Sequence, residues 1–251
     1  KDEYTYKKGA STKNVLDVLN NTQDVAILWR DNNSDSKGVA LRVDYEDFQT
    51  PKTNSICDEE CRDEGMLVGL EDYIEKNRGK NILIVLHQMG NHGPAYYKRY
   101  PKEFEKFTPV CKTNQLENCT KEEISNAYDN AILYTDYFLS KAINFLKKYS
   151  NTHEAGLLYV SDHGESLGEN GIYLHGMPYA IAPKAQTHVA SLIWLDDGQM
   201  AHEYDINKIK QNKDKEYSHD NLFDTLLGLF EVKTEVYKKE LDILNEARKE
   251  D

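Results

Sequence analysis

Two apolar runs, each ending in a histidine and a glycine-rich loop, constrain this chain more than any other feature of it. Leu157-Leu158-Tyr159-Val160-Ser161 leads into Asp162-His163-Gly164-Glu165-Ser166, and Asn81-Ile82-Leu83-Ile84-Val85-Leu86 leads into His87, with His92 five residues on. Apolar runs of this length, bounded by turn residues, read as buried strands. Open α/β sheets place their ligands beyond the C-terminal ends of such strands. His175 follows twelve residues after His163. Carboxylate oxygen and imidazole nitrogen are ordinary zinc ligands, so the pattern points to a metal centre that handles phosphate. A single Asp-His pair would mean little. The same arrangement at two strand ends, with glycines beside each histidine, means more.

Strand and helix signals alternate along the rest of the chain. A short helix is expected over 14–19, a strand over 25–29, a helix over 66–76 and a strand over 81–86. A long helix is expected over 122–149, with Ile124, Tyr128, Ala131, Tyr134, Phe138, Ala142 and Phe145 on one stripe. Thr120 and Glu123 have the spacing of its capping box. Strands follow over 157–161 and 190–195, then a helix over 219–230 with Ser218 as its cap, and a charged, helical tail from Lys233. This βαβ alternation predicts an α/β fold, with a mixed, mostly parallel central sheet and helices on both faces. No repeat or linker divides it, so residues 1–251 read as one domain.

The formal net charge is −12. Nucleic acid is excluded as a partner, because phosphate contacts need clustered Lys and Arg. General adsorption to an anionic membrane is disfavoured for the same reason. No apolar run reaches the ~20 residues of a spanning helix. The chain opens on Lys1-Asp2-Glu3-Tyr4, without an initiator Met, and reads as a soluble part of something longer.

The four cysteines form two close pairs in polar stretches, Cys57/Cys61 and Cys111/Cys119. Two short-range disulfides fit this best and imply an oxidising compartment. Three pairings are possible in principle. A four-thiolate zinc site is the main rival, although the spacings lack the usual CxxC knuckles.

Three loops carry further chemistry. In His87-Gln88-Met89-Gly90-Asn91-His92-Gly93-Pro94 the glycines allow close backbone approach to a ligand. Tyr96-Tyr97-Lys98-Arg99-Tyr100-Pro101-Lys102 is a basic, aromatic patch in an acidic chain. It reads equally as a headgroup interface or as a solvated loop. The loop Asp31-Asn32-Asn33-Ser34-Asp35-Ser36-Lys37-Gly38 offers amide, hydroxyl and ammonium donors after a strand. Glu165 reads as a metal ligand or as a partner that orients one. His153, His188, His202 and His219 lack such settings and read as surface or structural residues.

The segment Ser161 to Gly171, with Tyr173-Leu174-His175-Gly176, resembles the signature of the lipid A phosphoethanolamine transferases, which include the mobile colistin-resistance enzymes. The segments 87–101 and 29–38, the cysteine pairs and Ala127-Tyr128-Asp129-Asn130 match the same family, and the similarity runs to about Phe230. The resemblance implies an alkaline-phosphatase-like fold shared with sulfatases. It implies a domain in the periplasm, attached to a membrane domain at the bacterial inner membrane. Asp162 and His163 would be zinc ligands, with Glu165 a nearby acidic ligand or support. His92 and His175 would bind the phosphate or a second zinc. Asn33, Ser34 and Lys37, with His87, would contact the substrate, phosphatidylethanolamine. One zinc, or two, would serve transfer of phosphoethanolamine to lipid A or a related envelope acceptor through a phospho-threonine.

One departure stands out. The family's nucleophilic Thr and a glutamate zinc ligand belong to a segment upstream of the matched part. Neither Thr5 nor Thr12 lies in a matching motif. That upstream segment and the membrane domain are therefore expected as further parts of the same protein. Alternatives are a phosphoglycerol transferase or phosphodiesterase on this fold, or a non-catalytic metal-binding module. The C/S-x-P-x-R setting of a sulfatase nucleophile is missing from the sequence.

Overall fold

The structure is a computed structural model that describes residues 6–249. Thr5 lies outside the described residues. In chain order the elements are α1 (Tyr6–Ser11), α2 (Val15–Asn21), β1 (Val25–Asp31), β2 (Asp44–Asp47), α3 (Leu70–Lys76), β3 (Asn81–His87), α4 (Lys121–Leu146), β4 (Gly156–Val160), β5 (Ser166–Leu167), β6 (Tyr173–Leu174), α5 (Lys184–Thr187), β7 (Ser191–Leu195), α6 (Met200–Glu203), α7 (Ile206–Gln211) and α8 (Asn221–Leu229).

β1 is the centre of a parallel three-stranded sheet in the order β2-β1-β3. Its side chains alternate between two helical layers, as the two-residue period of a strand requires. Val25 and Ile27 pack with Leu16 and Leu19 of α2 and Leu227 of α8. On the other face Leu28 packs with Leu70 of α3 and Phe145 of α4. This two-sided burial explains the unbroken apolar run Val25–Trp29, since a parallel strand covered on both faces cannot alternate with polar residues.

The long helix follows its sequence closely. Glu123 N donates to Thr120 Oγ1 at 3.2 Å and Thr120 N donates to Glu123 Oε2 at 2.7 Å, so the expected capping box forms. Ile124, Ala131, Tyr134, Phe138, Ala142 and Phe145 are buried. Full burial of one such large side chain contributes about 2–3 kcal/mol. The helix stops at Leu146 rather than at Tyr149, which lies in the turn that follows.

Other expectations need correction. Among its described residues the tail from Lys233 is not an α-helix; they hold two 3-10 turns, at Lys239–Leu241 and Asn245–Ala247. Its charges made helix plausible, but the segment is pinned by Asp242, Tyr237 and Arg248 instead. Tyr237 donates to Asp242 at 2.9 Å and Arg248 Nη2 donates to the Gly228 carbonyl at 2.6 Å. Ser218 does not cap α8. Asp220 holds that position, and Ser218 Oγ accepts from Asp220 N at 3.2 Å. β2, with the sequence DYED, carries no apolar pattern and escaped sequence reading.

The remaining strands form two antiparallel pairs, β4-β7 and β5-β6. Among the described residues β3 and β4 therefore each keep one unpaired edge. Both cysteine pairs are bonded, Cys57–Cys61 and Cys111–Cys119, and no cysteine is free. The rival thiolate zinc site is thereby excluded. No helix among the described residues is long and apolar enough to cross a membrane.

Candidate metal centre

Three loops converge at the strand ends. The first follows β3. Asp63, fully enclosed, accepts Met89 N at 2.9 Å and Gly90 N at 3.0 Å, which folds the backbone ahead of His92. Burial pushes the Asp63 carboxyl up, against the opposing effect of these donors and Asn32. Arg99 Nε donates to the His92 carbonyl at 2.6 Å. Gly93 has no room for a side chain, because a Cβ there would meet Leu174 Cδ2 at 2.6 Å and the Tyr96 hydroxyl at 2.8 Å.

The second loop follows β4 and carries His163. Gly164 N donates to the Gln186 carbonyl at 3.0 Å. A Cβ on Gly164 would lie 2.0 Å from the Ala185 carbonyl oxygen, so only glycine permits this approach. The third loop leaves the β5-β6 hairpin and carries His175. Gln186 locks the base of that hairpin by donating to Ser166 Oγ at 3.0 Å.

The result is a group of three imidazoles. One ligand atom each of His92, His163 and His175 lies within 4.8 Å of the others. The His163 and His175 rings stack at 3.7 Å, and His92 sits edge-on at 5.7 and 5.1 Å. Every Nδ1 already faces an oxygen: the Gly93 carbonyl at 2.8 Å for His92, the Gly164 carbonyl at 3.1 Å for His163, and Glu165 Oε1 at 3.1 Å for His175. With each Nδ1 proton directed outward, each Nε2 keeps its lone pair. Three imidazole nitrogens, oriented by oxygen partners behind them, form a donor set that fits zinc and leaves a further position open.

The acids take different places. Glu165 is buried and its oxygens are committed, to Gly93 N at 3.2 Å, to the Tyr96 hydroxyl at 3.1 Å and to His175. Burial, with the Glu165 carboxylate beside it, pushes the Tyr96 phenol far up, so Tyr96 remains a donor. Asp162 is exposed; its Oδ2 lies 3.7 Å from His163 Nε2, and its Oδ1 accepts His163 N at 3.0 Å.

The residues expected to contact substrate gather at the ends of β1 and β3. Asn33 Nδ2 donates to the Gln88 carbonyl at 3.1 Å, and Lys37 Nζ lies 3.4 Å from Ser34 Oγ. His87 is not part of the histidine group; its Nδ1 turns to Asp31 Oδ2 at 2.9 Å. The basic, aromatic patch is largely structural. Tyr96 and Tyr100 are buried, and Arg99 pairs with Glu60. His219, read as structural, reaches the Ser161 carbonyl with Nε2 at 2.9 Å.

Sequence reasoning gave no individual role to Asp31, Asp63, Tyr96 or Gln186. Each acts by being enclosed next to a functional loop, and nothing in the type or spacing of these residues announces burial.

A parallel sheet between two helical layers, with a histidine group drawn from the loops after β3, β4 and β6, defines the alkaline-phosphatase-like fold. The sulfatase family model matches residues 4–232, and the chain belongs to that family. Phosphatidylethanolamine transferase Mcr-1 of Escherichia coli is 48% identical over 244 residues, covering 94% of this chain and 44% of that protein. The soluble domain of lipooligosaccharide phosphoethanolamine transferase A from Neisseria meningitidis superposes with a TM-score of 0.91 at 40% identity, over 99% of this chain and 75% of that one. The C-terminal periplasmic domain of phosphoethanolamine transferase EptC from Campylobacter jejuni gives 0.81 at 47% identity, over 93% of this chain and 71% of that one. The chain spans under half the length of the curated relatives it matches.

Proposed function

We propose that this chain is the periplasmic catalytic portion of a zinc-dependent enzyme at the inner membrane. It transfers phosphoethanolamine from phosphatidylethanolamine to lipid A or a related envelope acceptor. The observation that carries the reading is the histidine group with its three outward-locked Nδ1 atoms, set in the motifs that match the transferases.

His92, His163 and His175 would hold one zinc, or share two, with Asp162 able to swing in from the edge. Bound there, zinc lowers the pKa of a coordinated hydroxyl and offsets charge on the phosphoryl oxygens. Glu165 fixes the ring of His175 and so sets the direction of its Nε2. Asn33, Ser34, Lys37 and His87 receive the phosphoethanolamine at the strand ends. Lys37, whose ammonium also sits 3.6 Å from Asp35, is the cation of that loop.

The attacking Thr belongs to polypeptide outside the matched motifs. Support for its entry point comes from the edges of β3 and β4 that no strand among the described residues pairs, whose following loops meet at the histidines. Apolar strand edges of this kind accept a further strand readily.

The test uses the full-length enzyme in vesicles of phosphatidylethanolamine with an envelope acceptor. Diacylglycerol release that stops on chelation and returns with zinc is expected. No diacylglycerol release would end the reading.

A further inference from the structure

Asp31 ends β1 with a side chain that solvent does not reach. Its two oxygens accept three protons. Trp29 Nε1 donates to Oδ2 at 3.0 Å, His87 Nδ1 lies 2.9 Å from the same oxygen, and Asn33 N donates to Oδ1 at 2.9 Å. Burying a carboxylate is costly unless such bonds compensate it. An apolar side chain would fill the strand end without that cost. Two of the three groups that compensate it, His87 and Asn33, are the residues already placed at the substrate loop.

The arrangement also clamps β3. Asp31 pairs in register with His87, Asn32 N donates to the His87 carbonyl at 2.9 Å, and Asn33 Nδ2 holds the Gln88 carbonyl. Burial raises the Asp31 carboxyl, but the hydrogen bonds from His87, Trp29 and Asn33 work against it and the carboxyl lies below its ordinary value. Asp31 is thus an anion that demands a proton on His87 Nδ1. Trp29 braces the same imidazole edge-on at 5.3 Å. The ring is partly exposed, and among the described residues no hydrogen bond reaches its Nε2.

We propose that Asp31 is a positioning residue that holds His87 as the Nδ1–H tautomer and presents the Nε2 lone pair to a proton-bearing group of the substrates. This rests on the transferase reading. A lone pair cannot bind a phosphate oxygen, which brings no proton. It accepts from the ammonium of the ethanolamine headgroup or from the acceptor's hydroxyl.

Nitrogen-15 spectra of the histidine-labelled chain read the tautomer directly. His87 protonated at Nδ1 is expected, and a proton on Nε2 would overturn the proposal. In the full-length enzyme, Asp31→Asn should lower kcat/KM by about 10–100-fold, the range for groups that orient a functional imidazole. Unchanged kinetics would overturn it. His87→Asn should give a similar loss, and the double variant no more than either alone. Losses that multiply would show that Asp31 does not act through His87.

The two proton sources separate by headgroup. If Nε2 takes the ammonium, Asp31→Asn shrinks the preference for phosphatidylethanolamine over its trimethylated counterpart. If it takes the hydroxyl, that preference stays and KM for the acceptor rises. Should Asp31→Asn fail to fold, the wild-type spectrum and His87→Asn still decide. A wild-type enzyme inactive on phosphatidylethanolamine would sink the transferase reading alone, and the spectrum would still test the Asp31–His87 pair.

Discussion

Glu165 Oε1 faces His175 Nδ1 at 3.1 Å while the other oxygen of the same carboxylate takes the Tyr96 hydroxyl at 3.1 Å. The glutamate therefore stands behind the histidine, with the ring between it and the centre of the group. In this reading it tunes a ligand and does not need to be one.

Glu165→Gln is the direct consequence. The amide matches the size of the carboxylate, but its NH2 must face either His175 or the Tyr96 hydroxyl, so one of these two donors loses its acceptor. Zinc affinity should fall about 10–100-fold, measured by competition with a chromogenic chelator. Affinity equal to wild type would remove Glu165 from this role.

His163→Ala deletes one of three nitrogens. Zinc should be lost, and turnover of the full-length enzyme with it, because the remaining two imidazoles cannot close the site. Metal analysis of the dialysed protein reads this. Full occupancy with normal turnover is the contrary result.

Acid stability should depend on Asp17. Its carboxylate completes the capping box of α2, accepting Asn14 N at 2.7 Å, and forms a two-pronged pair with Arg42. The hydrogen bond from Arg42, working against burial, holds the carboxyl below its ordinary value of 3.8. A depressed folded value means the stabilisation is present above the unfolded value and is lost as pH falls through the folded one. Asp17→Asn should cost about 1 kcal/mol near neutrality, as for loss of a cap. It should also flatten the decline of the urea midpoint below about pH 4. An unchanged acid limb in the variant would contradict the assignment.

Reduction of the disulfides should loosen the site from a distance. Cys57–Cys61 closes a short loop, worth about 2 kcal/mol in the chain-entropy account. The Cys61 carbonyl accepts from Asn32 Nδ2 at 3.0 Å, and the same amide donates to Asp63 at 2.8 Å, the residue that folds the His92 loop. Hydrogen exchange over 57–63 and 87–92 should rise together under reductant. A rise confined to 57–63 would show that the two loops are not coupled.

How much was legible varied with the kind of feature. The strand ahead of Asp162 was readable as an unbroken apolar run, although its residues are only half-buried, and the long helix because it buries a periodic stripe. The capping box at Thr120 and Glu123 was readable because it is a contact between near neighbours. β2 was not, since DYED joins β1 through backbone pairing and the Arg30–Glu46 ion pair and needs no apolar pattern. The helical reading of the tail failed because Arg248 is held by the Gly228 carbonyl and Glu231, Glu246 by Lys215 and Lys249 by the Ala201 carbonyl, contacts that only the folded chain supplies.

The sequence by itself determined the alternation of elements, the strand-end histidines and the family, since these depend on local pattern and on contiguous motifs. The tertiary structure decided which side chains meet. His92, His163 and His175 come from three separate loops, and His87, only five residues before His92, turns to Asp31 instead. It also decided which acids are enclosed. Asp31, Asp63 and Glu165 lie inside and orient their neighbours, whereas Asp162 lies outside. Burial and long-range meeting are set by how the layers pack, and no single stretch of the chain contains that information.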